Sequence, residues 1–249
     1  MDYFRKSERV ICRPSEAEDR ETVRRIISLM TERCFVMEET EKSCIDCTVG
    51  NCNWEDGKYP PFCPSTHMDP DLLADAMAEY KKEDIRRVTI AAAEVEADNY
   101  CKMTRLEETV EFAKKIGAKR IGIANCVGLL SEARVLARVL RSHGFEVYGA
   151  ACKGGTQKKA DVGIPERCNA VGFNMCNPIL QAKSLNARHT DLNILVGLCV
   201  GHDSMFYRYS DALVTTLVAK DRVLGHNTVA AMYQADKYYK RVFGNEKKI

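Results

Sequence analysis

Four cysteines crowd one stretch, SCIDCTVGNCNWEDGKYPPFCPS, which runs from Ser43 to Ser65. Cys44, Cys47, Cys52 and Cys63 follow the spacing C-x2-C-x4-C-x10-C, and Pro64 follows the last. Thiolates are soft ligands that select zinc or iron–sulfur clusters. A C-x2-C pair can chelate one metal or hold two corners of a cluster, and a terminal Cys-Pro is shared with bacterial ferredoxin runs. Regular zinc modules carry two C-x2-C pairs; here there is one, and no histidine falls inside the segment, His67 lying just beyond it. The spacing favours an iron–sulfur cluster, with structural zinc as the alternative. Trp54, Tyr59 and Phe62 could shield a cluster from water, or supply the only apolar packing this loop has.

A second group of thiols is dispersed. Cys126 closes RIGIANC, Cys152 closes EVYGAAC, Cys176 closes VGFNMC and Cys199 closes NILVGLC. Each ends an apolar run of strand length, with Cys168 a spare thiol close by. In an open α/β sheet the C-terminal edge is where ligands bind, because the strand-to-helix loops converge there. Four thiols at equivalent positions point to one crevice, although any single buried cysteine is as readily a small core hydrophobe. Ligands drawn from four separate loops suit a [4Fe-4S] cluster better than structural zinc. Were only three to ligate, one iron would stay open as a Lewis acid. Lys153, Arg167, His202 and Asp203 share these loops; Lys153, His202 and Asp203 are the candidates for proton transfer or anion binding. The stretch KDRVLGHN, with Lys220, Asp221, Arg222, His226 and Asn227, reaches the same edge as a substrate-facing segment or a surface turn.

The elements that must position these residues can be read from periodicity. Before residue 118 the pattern is helical: about Glu16 to Cys34, DPDLLADAMAEYKK with Pro70 at its first position, EDIRRVTIAAAEVEADNYCKM, and TRLEETVEFAKKIGA. The last opens on a capping box, Thr104 with Glu107, and stops at Gly117. From 118 onward strands and helices alternate: AKRIGIANC, a helix closed by Gly144, FEVYGAAC, a weaker strand in CNAVGFNMC, a helix from Pro178, DLNILVGLC, ALVTTLVAKD and a closing helix in NTVAAMYQADKYYKRVF. This alternation predicts an α/β fold, a Rossmann-like parallel sheet with flanking helices. Residues 1–117 form a helical N-terminal region holding the cysteine-rich segment at about 40–66, and residues 118–249 form the α/β domain. Cys12, Cys34 and Cys101 have no partner pattern, and core packing is their default.

Composition narrows the function classes. The net charge is +2, from 37 basic and 35 acidic residues, which offers no electrostatic case for nucleic acid or an anionic membrane. No apolar run approaches the roughly 20 residues of a membrane helix, and the charged N-terminus lacks the apolar centre of a signal peptide. The expected location is cytoplasmic. Thiols there are kept reduced, so twelve cysteines suggest metal binding or redox work rather than disulfides. No P-loop is present, and GLCVGHD is not a dinucleotide fingerprint.

The stretches CIDCTVGNC…CP, AAAEVEADNYCKMTRLEETVEFAKKIGAKRIGIANCVGLLSEA and NPILQAKSLNARHTDLNILVGLCVGHDSMF together resemble the prokaryotic family of domain of unknown function 1847. The resemblance runs from about residue 40 onward. It implies a cysteine-rich metal-binding protein of a kind common in anaerobes, and it implies no reaction.

Three functions follow. The first is an iron–sulfur oxidoreductase or lyase, with one or two clusters and a small-molecule substrate. The second is a non-catalytic electron-transfer protein serving a redox partner. The third is a zinc-stabilised domain that binds a small ligand or metal ion. A homodimer is compatible with each.

Overall fold

The computed structural model describes residues 42–54 and 57–244. The helix expected over Glu16 to Cys34, together with Cys12 and Cys34, lies outside the described residues. The helices are α1 (Pro64–His67), α2 (Pro70–Glu79), α3 (Glu83–Asn99), α4 (Arg105–Lys115), α5 (Leu130–Ser142), α6 (Pro178–Asn186), α7 (His202–Tyr209) and α8 (Val229–Tyr233). The strands are β1 (Arg120–Asn125), β2 (Glu146–Ala151), β3 (Leu192–Val196) and β4 (Leu213–Val218). They form one all-parallel sheet in the order β2-β1-β3-β4. This is the expected Rossmann-like α/β arrangement, and the chain reverses direction across the sheet between β1 and β3.

Local chemistry accounts for the elements. Thr104 caps α4 while the Glu107 carboxylate accepts the Thr104 N–H at 2.7 Å, so the capping box forms as read. β3 is buried at every residue, as a central strand covered on both faces must be. Ile121 and Ile123 of β1 face a core made by Ala91 of α3, Val110 and Ala113 of α4, and Leu136 and Leu140 of α5. Ala124 of β1 and Leu195 of β3 face the opposite way, toward Ala182 and Leu185 of α6 and Phe206 of α7. Helices therefore cover both faces, and the strand ends are left for other work.

The structure departs from the sequence reading in several places. CNAVGFNMC contributes no strand to the sheet: Glu166–Val171 is a 3₁₀ turn, and Asn174 makes only an isolated antiparallel bridge with Lys158. Gly172, at φ 104°, breaks the extended run before it can pair. The expected closing helix is reduced to α8 and a 3₁₀ turn, Lys240–Phe243. Helix α7 forms where none was read. Cys101 is exposed rather than packed in a core. Two compact units meet in the sequence between Ala76 and Met77. Helices α3 and α4 bury their apolar stripes in the same core as the sheet. Among the described residues no helix is long and apolar enough to cross a membrane.

Candidate metal centres

The cysteine-rich segment has almost no core. Of its described residues, 42–54 and 57–66, only Cys63 is buried. Short turns shape it instead. Asp46 accepts the Ser43 N–H at 2.7 Å, Gly50 takes a left-handed conformation, and the Asn51 amide donates to the Lys58 carbonyl at 2.6 Å. These turns leave Cys44, Cys47, Cys52 and Cys63 lining one cavity of about 160 Å³, with Tyr59 and Phe62 as apolar walls. Trp54 is not among the lining residues and is 67% exposed, so it does not shield this cavity. The backbone N–H groups of Gly50 and then Val49 bond the Cys47 sulfur and lower its pKa below the ordinary thiol value. A turn that donates two amides to a sulfur favours its thiolate, the form that binds metal.

The second group gathers at the C-terminal edge of the sheet. Cys126 directly follows β1 and its N–H bonds the Val196 carbonyl at 3.0 Å. Cys152 directly follows the neighbouring β2 and its N–H bonds the Asn125 carbonyl at 2.9 Å. Both are buried, Cys152 to 3% exposure, and both pack in the apolar cluster of Ala182, Leu198 and Phe206. Cys199 lies three residues past β3, after Gly197 has turned the chain at φ 64°. A side chain at Gly197 would strike Leu129.

Cys176 arrives by a different route. It belongs to the loop before α6, where Asn177 caps the helix by accepting the Leu180 N–H at 2.9 Å. The Asn177 N–H bonds the Cys152 carbonyl at 2.8 Å and so ties Cys176 to the strand edge. The two thiols stand in hydrogen-bonding contact. This contact, then one with His202, holds the Cys176 pKa well below the ordinary thiol range, with the Lys153 charge adding to it. Cys152 is pushed up, first by the same contact and then by burial. The pair thus gives up one proton readily and keeps the second.

The charged residues sort themselves around these sulfurs. Lys153 donates to the Asn174 carbonyl, and Arg222, beyond β4, donates to the Cys199 sulfur at 3.0 Å. That contact raises the Arg222 pKa. The Val127 N–H donates to the Cys152 sulfur at 3.3 Å. The Asp203 carboxylate accepts the Ser204 N–H at 2.8 Å, while its neighbour His202 turns to Cys176. Cys168 sits in the 3₁₀ turn, where its carbonyl accepts from Lys159, and no described contact joins its sulfur to the other four. Arg222 was legible only as one of five polar residues in KDRVLGHN; nothing in the sequence singled it out. Among the described residues no three Cys, His, Asp or Glu side chains gather closely enough to hold a single metal ion.

Comparison with known proteins gives the family. The family model described as Protein of unknown function (DUF1847) matches residues 63–217, a span that holds Cys63 and every sheet-edge cysteine but begins after Cys44, Cys47 and Cys52. The protein MJ0455 of Methanocaldococcus jannaschii, itself named uncharacterized, is 47% identical over 169 residues, 68% of this chain and 86% of its own. Among solved structures, Dph2 from Pyrococcus horikoshii with its 4Fe-4S cluster aligns at 19% identity and a TM-score of 0.30. That alignment covers 56% of this chain and 33% of Dph2, a likeness too distant to bear on the site. On the family match and the archaeal relative together, this chain belongs to the DUF1847 family.

Proposed function

We propose that the protein is an iron–sulfur protein with two cysteine-ligated centres. Cys44, Cys47, Cys52 and Cys63 hold the first. Cys126, Cys152, Cys176 and Cys199 surround the second, a [4Fe-4S] cluster at the sheet edge where a small molecule is transformed by redox or lyase-type chemistry. The observation that carries the reading is that four thiols of a segment without a core line one cavity. Ligands spaced around a cavity suit a cluster better than a single ion.

The sheet-edge residues fit an anionic, thiolate-bound group. Arg222 and the Val127 amide donate to sulfur, His202 contacts Cys176, and Lys153 places positive charge beside it. When bound, the cluster supplies one-electron transfer and, where an iron lacks a protein ligand, a Lewis-acid site for a substrate oxygen or sulfur. His202 holds or moves a proton beside Cys176, and Lys153 balances charge there. Asp203, whose carboxylate accepts the Ser204 N–H, adds a negative group at the start of α7. Cys168 is left out of the ligand set. Electrons come from a redox partner protein.

The test is an ultraviolet–visible spectrum of protein purified without oxygen. A broad band at about 400 nm that bleaches with dithionite is expected. A colourless protein with stoichiometric zinc would overturn the reading. A finer measurement follows from the Arg222 contact. A donor to a ligand sulfur stabilises the more negative, reduced cluster, so Arg222→Gln should lower the midpoint potential of one centre by on the order of 50 mV. Iron content should stay unchanged. An unmoved potential at full iron loading would place Cys199 outside the ligand set.

A further inference from the structure

Along the outer flank of the sheet, between α5 and the edge strand β2, runs a cavity of about 460 Å³. Small-molecule sites typically measure about 300–1,000 Å³. Its floor is mainly apolar, formed by Ile123 of β1 with Val147 and Ala151 of β2, with the polar Asn125 of β1 beside them. Helix α5 spends Leu136 and Leu140 in the core with β1, and shows Leu130, Ala133 and Ala137 to the groove as its apolar residues. Gly149 lies in the middle of the floor, and a side chain there would meet nothing.

The rim carries one sign of charge. Arg134, Arg138 and Arg141 stand on α5 at i, i+4 and i+7, which places them along one side of the helix. All three are exposed, and no ion pair among the described residues engages them. Arg141 reaches across to the Val147 carbonyl at 3.2 Å. Unpaired guanidinium groups on an apolar groove repel one another, and a bound anion relieves that repulsion through bidentate contacts. A second copy of the chain is a poor occupant, because a two-fold contact would set three arginines against three more.

We propose that this groove is a binding site for a small amphipathic anion. Its phosphate or carboxylate head is held by Arg134 and Arg138, and its apolar body lies on Ile123, Val147 and Ala151. The site stands apart from the metal reading and does not depend on it. Titration calorimetry of the full-length protein with octyl phosphate and octanoate, each kept below its micelle concentration, tests it. Octanol and inorganic phosphate serve as the separate halves. Saturable one-to-one binding of at least one amphipath is expected, with each half at least about tenfold weaker. The stronger of the two amphipaths identifies the head. Arg134→Gln combined with Arg138→Gln changes only exposed positions and should weaken binding at least about tenfold. Gly149→Leu should block it by filling the floor. Octanol binding as tightly as octyl phosphate, full affinity in the double arginine variant, or no binding by either amphipath would overturn the proposal.

Discussion

Chelating the metal, or replacing Cys47 by serine, is expected to open the cysteine-rich segment to protease while residues 77–244 stay protected. Ordering a residue costs about 1–2 kcal/mol of backbone entropy. In this segment the compensation from burial is close to nothing, because Cys63 is its only buried described residue. The turn hydrogen bonds at Asp46 and Asn51 contribute about 1 kcal/mol each, far short of the total. Metal binding to small thiolate sites contributes roughly 10–16 kcal/mol, enough to close the gap. Cys47 is the sharpest position to change, since its sulfur is the one that two backbone amides bond. The α/β unit has its own core around β1 and β3 and does not share this dependence. Limited proteolysis with and without chelator reads the result. A segment that remains protected without metal would mean that its fold rests on contacts other than the thiols.

The second large effect is expected in metal composition. Cys176→Ser combined with Cys199→Ser should remove one cluster's worth of iron, about four atoms for a cubane, and leave the rest. Cys44→Ser combined with Cys47→Ser should remove the other share. Cys176 and Cys199 are both only partly buried, so the first pair avoids opening a core cavity. Cys152 is a poorer choice, since its side chain packs among Ala182, Leu198 and Phe206, and a polar atom there costs stability whatever the metal does. Iron and sulfide analysis, with circular dichroism to confirm folding, gives the answer. Loss of all metal from a folded variant would indicate one shared site. Unchanged metal in the Cys176 and Cys199 variant would return the sheet-edge thiols to the role of packed and surface cysteines.

Much of this protein was legible from local pattern. The apolar runs that became β1, β2, β3 and β4 are each of strand length and bounded by polar or glycine residues, so their ends could be read closely. Cys126 and Cys152 then had to fall at the C-terminal edge of a parallel sheet, because each follows its strand by one residue. The α4 capping box was equally local, needing only Thr104 and Glu107 at the right spacing.

What the sequence could not determine was which loops would meet. Cys176 looked like a strand-end thiol, yet it reaches Cys152 from the loop before α6, through the Asn177 N–H. Cys168, nearer in sequence to Cys152 than Cys176 is, was left in a separate turn. Arg222 meets Cys199 because β4 lies beside β3, and four apolar strands of similar length do not announce their order. The groove beside β2 likewise exists only where α5, β1 and that edge strand come together in the fold. The physical reason is the same in each case. Strand and helix formation follows near-neighbour periodicity, whereas strand order and loop convergence follow from burying one shared core, to which residues far apart in the chain all contribute.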